Sequence, residues 1–194
     1  MKTYRMNARM AGGLYVLGTV FGVTSVIVGG EVLSSIISGK LLEGEDILGL
    51  VAANASQLNM STFLTLLMGI SLAAMTIFLY PIFKKDSEEL AMGMLIFRGA
   101  IEGVGYMFIT LNFLTLIALA NEYAATGATS VALQSMGNVF YQYVDFIGPV
   151  HTIMFLIGAT FLYVSFYRTK LIPRWLSIWG LIGVVPYFAY ALLH

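Results

Sequence analysis

Four ionisable residues stand inside otherwise apolar sequence: Arg98, Glu102, Asp145 and His151. Arg98 and Glu102 are four residues apart, so on a helix both project from one face and can form an ion pair. A charge at membrane depth costs at least about 2.5–3.5 kcal/mol, which pairing reduces, so such residues usually face a protein interior or a watery cavity. A guanidinium beside a carboxylate can hold an anionic group or keep the carboxylate ionised for a proton or cation. A histidine at the same level can pass protons near neutral pH. At 1.5 Å per residue from Leu90, Arg98 lies about 12 Å and Glu102 about 18 Å along its helix. On the next, antiparallel span, counted from Gly137, Asp145 lies about 12 Å and His151 about 21 Å from the other side. Glu102 and His151 therefore share a level near the midplane. Asp145 falls in the outer half, where Tyr106, Thr110, Asn112, Tyr141 and Tyr143 can line its surroundings, so a polar path from outside to midplane is geometrically possible.

Pro149 bears on the same region, because it cannot donate to the carbonyl of Asp145 and should kink the helix together with Gly148. Broken membrane helices commonly expose such carbonyls to ions or substrates. Pro186 raises the same expectation in the last span. Each feature also has a plainer explanation. An ion pair can merely fix helix register, an interior histidine is more often hydrogen-bonded than a ligand, and membrane prolines are frequently repaired by neighbouring groups.

Several chemistries are excluded by composition. With no cysteine and two histidines, His151 and His194, the chain cannot build disulfides, thiolate metal sites, a three-histidine zinc site or a metalloprotease helix. No metal and no cofactor is expected. Lys plus Arg equals Asp plus Glu, ten each, so no charge excess attracts nucleic acid. The eleven methionines read as packing residues, although Met6 and Met10 share a helical face that could hold a soft metal.

The elements that must position the polar residues are membrane spans. Hydrophobic residues make up 59% of the 194 and charged residues 10%, with a mean hydropathy of +0.86, beyond what a soluble fold can bury. Five apolar stretches, near 8–30, 59–83, 91–120, 137–167 and 173–193, each reach the roughly 20 residues needed to cross a bilayer. The first is too long for a signal-peptide core and is expected to be retained. Basic residues sort to one side: Lys2, Arg5 and Arg9, then Lys84 and Lys85, then Arg168, Lys170 and Arg174, against Lys40 alone opposite. A cytoplasmic amino terminus and an extracytoplasmic His194 follow.

The 31–58 connection carries apolar residues at near-helical spacing, with Gly39 and Gly44 expected to divide it into two short helices on the outer surface or over the bundle. Gly99 with Gly103 and Gly18 with Gly22 are small pairs that permit close helix approach, within the bundle or between protomers. Trp175, Trp179, Tyr4 and Tyr80 fall near the inner boundaries, where amphipathic rings are favoured. The expected fold is all-α: residues 1–194 as one integral membrane bundle of five transmembrane helices with an extracytoplasmic amphipathic insertion between helices 1 and 2.

Three segments resemble a family of bacterial integral membrane proteins of unknown function, the domain of unknown function 4386 family. They are Asn7-Ala8-Arg9-Met10-Ala11-Gly12-Gly13-Leu14-Tyr15, Phe97-Arg98 followed by Glu102, and Tyr167-Arg168-Thr169-Lys170-Leu171-Ile172-Pro173-Arg174-Trp175-Leu176. The resemblance implies a helical membrane domain over the whole chain, with Arg98 and Glu102 as the family-type polar pair. It implies no activity.

Two function classes remain in front. The first is small-molecule or ion binding or transport, with Arg98, Glu102, Asp145, His151, Tyr106 and Asn112 as ligand- or proton-binding residues. The second is a non-catalytic membrane module for a partner protein or for sensing the envelope. An intramembrane lipid-modifying enzyme is weaker, because no nucleophile stands in a recognisable motif. Expected partners are the lipid bilayer, a small-molecule or lipid ligand and a second copy of the chain.

Overall fold

The structure is a computed structural model and describes residues 2–37 and 46–193. Among the described residues every regular element is helical. They are α1 (Lys2–Ile37), α2 (Ile47–Ala53), α3 (Ala55–Phe83), α4 (Glu88–Met94), a π-helical segment (Leu95–Ile101), α5 (Glu102–Ala125), α6 (Val131–Thr169) and α7 (Arg174–Leu193). α4, the π segment and α5 run on as one rod, so five helices are long and apolar enough to cross a membrane. These correspond to the five expected spans. Four of the five run several residues past the expected ends, because local periodicity marks the apolar centre of a helix better than its termini.

The chain forms two compact units. The first takes residues up to Thr19, Met68–Gly105 and everything from Pro149 onward. Its core gathers Met75, Leu79 and Phe83 of α3, Ala91 and Met94 of α4, and Leu162 of α6. One end of this unit is a belt of charges and rings. Arg168 Nε lies 2.7 Å from Asp86 Oδ2, Lys84 Nζ lies 2.7 Å from Glu88 Oε1, and the Lys85 ammonium sits 4.0 Å above the Tyr4 ring. Arg174 stacks 4.9 Å over Tyr167. Basic residues of the α3–α4 turn, α6 and α7 expected on one face thus lie in this belt, with Tyr4 of α1 beside Lys85. Trp175 and Trp179 are exposed nearby in sequence on α7.

The second unit takes Val20–Leu67 and Tyr106–Gly148. Its core is built from Leu33 and Ile36 of α1, Leu48 and Val51 of α2, Leu58 of α3, and Leu116 and Tyr123 of α5. Leu33, Ile36, Ile47 and Leu48 of the 31–58 connection are therefore core residues of this unit, whereas Ile37 is exposed. α2 starts where the Asp46 carboxylate accepts the Gly49 N–H at 3.0 Å, an N-cap that satisfies one of the orphan donors of a short helix. Gly39, Gly44 and Lys40 lie outside the described residues, as does His194. Gly30 bends α1 with φ 57° and ψ −148°, a conformation essentially reserved for glycine.

Pro149, expected to kink its span, does not interrupt the helix. α6 is continuous helix from Val131 to Thr169 with Pro149 inside it, and α7 continues through Pro186. Proline at these positions removes one hydrogen bond without ending the helix, as membrane helices often tolerate.

Candidate functional site

Arg98 and Glu102 are buried in the first unit, 6% and 1% exposed, and they are paired with each other. Arg98 Nη1 donates to both carboxylate oxygens of Glu102. The spacing of four that suggested this contact operates in an unexpected setting. Arg98 lies in the π segment and Glu102 closes it, its backbone N–H reaching the carbonyl of Phe97 five residues back. π segments inside helices frequently mark functional sites. The wider turn still keeps residues four apart on one face.

Glycines and one small hydroxyl determine how closely the neighbours approach. At Gly158 of α6, an added Cβ would stand 2.6 Å from the Arg98 backbone nitrogen and 2.8 Å from its Cα, so α6 touches the π segment backbone to backbone. At Gly99 an added Cβ would run into the Thr76 hydroxyl of α3, and at Gly103 it would meet Ala73 at 3.4 Å. Gly18 faces Leu72 of α3 at 3.0 Å. Gly99, Gly103 and Gly18 thus make contacts inside the unit.

His151 joins the pair. Its ring presses on Gly105, three residues from Glu102, where no Cβ would fit. The level shared by Glu102 and His151, expected from counting along two antiparallel helices, is realised. Phe155, one turn further along α6, lies under the Arg98 guanidinium at 4.6 Å. A charge held against an aromatic face is stabilised by the ring quadrupole, the more so where water is excluded.

The remaining expected residues belong to the second unit. Asn112 is buried and its Nδ2 donates to the Phe140 carbonyl at 3.1 Å, while Thr110 donates to the Tyr106 carbonyl at 2.8 Å. Asp145 is exposed. The inward stripe of α6 here carries Leu133, Phe140, Tyr141 and Val144, and Asp145 falls beside it. Asp145 is thus not gathered with Arg98, Glu102 and His151, and the polar residues divide between the units.

What the sequence did not reveal is a cavity of about 580 Å³ within the first unit. Its walls come from α1 (Ala11, Gly12, Tyr15), α3 (Met75, Leu79), α6 (Phe155, Tyr163) and the α6–α7 turn (Leu171, Ile172), with Arg98 as the charged lining group. The size and mostly apolar lining are those of small-molecule sites, which add a few polar groups to an apolar surface. The Arg98 Nε is buried and without a hydrogen-bond partner, although the same side chain is ion-paired through Nη1. Only the pairing of four helices makes such a space. Its sequence trace is the run of small residues Ala8, Ala11 and Gly12 on one face of α1, opposite bulky aromatics on α6.

Five helices long and apolar enough to cross a membrane are compatible with a multi-pass membrane protein, and the first unit holds a buried arginine–glutamate pair. The model of the family described as "Domain of unknown function (DUF4386)" matches residues 10–194, and the chain belongs to that family. No curated protein and no solved structure matches the chain. The motifs at both ends and around Arg98 had pointed to the same family.

Proposed function

We propose that the protein is a membrane-embedded binding protein for a small molecule, with Arg98, Glu102 and His151 as the polar head of the site and the apolar cavity as its body. The observation that carries this reading is the cavity of about 580 Å³, ligand-sized and mostly apolar, with Arg98 as the charged group in its wall.

Movement of the ligand across the membrane is the transport form of this reading. Its check is flux in proteoliposomes. In the orientation we propose, the belt of Lys84, Lys85, Arg168 and Arg174 faces the cytoplasm together with the amino terminus, as the bias of basic residues towards the cytoplasmic side requires.

The binding reading is tested by native mass spectrometry of the wild-type protein, Glu102→Gln and the neutral pair Arg98→Met/Glu102→Met. The expected result is a bound molecule on the wild type that both variants lose while they remain folded. Wild-type protein free of any bound molecule, with Glu102→Gln altered in thermal stability alone, would return the pair to a purely architectural role.

A further inference from the structure

We infer that the ligand is an anionic phospholipid, one of whose acyl chains fills the cavity of the first unit while its phosphate is held at the cavity mouth by Arg5, Lys170 and Arg174. This rests on the binding reading above and names its ligand class.

The lining gives the chain its path. Along α6 it runs from Phe155 to Phe166, about 16 Å of helix, and it continues to Leu171 and Ile172 in the turn beyond. Met75, Leu79, Arg98 and Leu162 of the wall are buried, whereas Gly12 and Tyr15 of α1, Leu171 of the turn and Leu176 of α7 are exposed. The space therefore opens between α1 and the start of α7. Its one charged lining group, Arg98, is already neutralised by Glu102 and lies over the Phe155 ring, so the deep end presents no net charge to a headgroup.

Cations stand at the open side instead. Arg5 lies one turn before Ala8 and two turns before Gly12, on the face of α1 that lines the cavity. Lys170 adjoins Leu171 in the chain, and Arg174 stands between Ile172 and Leu176. All three are exposed, and among the described residues no carboxylate is within ion-pair distance of them. The acids of this end are engaged elsewhere: Asp86 pairs with Arg168, Glu88 pairs with Lys84, and Glu89 accepts from the Ser87 hydroxyl at 2.9 Å. Three uncompensated cations beside the opening of an apolar space are complementary to a phosphate carried on a hydrocarbon chain. Membrane orientation alone also selects basic residues on one side, but it depends on their number and does not require them beside an opening. In the orientation proposed above this mouth meets the cytoplasmic leaflet, whose anionic lipids bind in basic pockets between helices.

The experiment uses full-length, delipidated protein in detergent with phosphatidylglycerol and phosphatidylcholine of identical chains, and with glycerol phosphate, and reads occupancy by native mass spectrometry. Phosphatidylglycerol is expected to bind one to one and at least about tenfold more tightly than phosphatidylcholine, since each Lys or Arg near an anionic headgroup contributes roughly a fivefold factor. Arg5→Gln/Lys170→Gln/Arg174→Gln should lose that preference. Lys84→Gln/Lys85→Gln, which removes two cations of the belt that do not adjoin the lining, should keep it. Gly12→Phe should expel both lipids, because Gly12 lines the cavity and an added Cβ there meets no atom within 4 Å, which leaves the ring room to occupy the space. The melting transition of each variant checks its fold.

Equal binding of the two lipids by the wild type, both lost in Gly12→Phe, would overturn the anionic head and leave the binding reading standing. A preference lost equally in the Lys84/Lys85 variant would belong to the whole belt, and one untouched by Gly12→Phe would belong to a lipid on the outer surface; either result overturns the placement of the lipid. Glycerol phosphate displacing phosphatidylglycerol would overturn the role of the chain. Wild-type protein that takes up neither lipid would overturn the inference, and the binding reading falls with it only if the protein also purifies without any bound molecule.

Discussion

At the scale of single residues the site is held by exclusion of volume as much as by charge. Gly158 and Gly105 leave no room for a methyl group, the first against the Arg98 backbone and the second against the His151 ring, whereas Gly12 and Gly13 face open space. Gly158→Ala should therefore destabilise the protein by about 1–3 kcal/mol, the usual range for overpacking. Gly13→Ala should be close to neutral. Thermal or denaturant unfolding in detergent separates the two. Gly105→Ala should be partly rescued by His151→Ala, since the second change removes the atoms that the new methyl strikes, and a double-mutant cycle measures the coupling. Removing one member of the buried pair differs from removing both. Arg98→Met alone strands the Glu102 carboxylate and should cost about 3–5 kcal/mol, while the double replacement by methionine should cost markedly less. Equal losses in the single and double variants would show that the pair is not the interaction being broken.

At the scale of elements, much was legible in the sequence. Five apolar runs gave five membrane-length helices, and a spacing of four placed Arg98 on Glu102, because helix length and face follow from composition and period alone. Counting residues also put His151 beside Glu102. Three things escaped. The π segment and the Gly30 bend depend on backbone dihedrals that no hydrophobic pattern encodes. The cavity depends on the rotation of four helices about their own axes, which packing at glycines decides. Asp145 turned outward for the same reason: its depth could be counted, but its azimuth is set by Leu133, Phe140 and Val144 entering the core of the second unit. Pro149 was expected to kink α6, and the helix runs through it without interruption. Two element-scale predictions follow from caps and dihedrals. Asp46→Ala should cost about 0.5–2 kcal/mol by uncapping α2, with Asp46→Asn nearly silent. Gly30→Ala should cost about 1–3 kcal/mol through backbone strain alone, as nothing lies near its Cβ. Hydrogen exchange of α1 and α2 amides reads both locally.

At the scale of the whole molecule, the proposed orientation makes a sharp prediction, because the chain contains no cysteine. Single cysteines placed at Lys85 and at Gly127 should differ in intact cells: a membrane-impermeant maleimide should label Gly127→Cys and spare Lys85→Cys until the membrane is opened. The reverse pattern would invert the topology. The placement of the ion pair also bears on how the chain is made. Arg98 and Glu102 lie on one continuous helical rod, four residues apart, so the segment can cancel its own charge as soon as that turn has formed. Had the two charges been divided between the α4–α5 rod and α6, the earlier one would have had to wait in the translocation channel for more than forty further residues to be synthesised, about a few seconds at ribosomal speed. In the membrane orientation proposed above, a pair carried in cis lets this rod partition into lipid on its own schedule, and leaves α6 to arrive later with His151 and Phe155 against charges that are already paired.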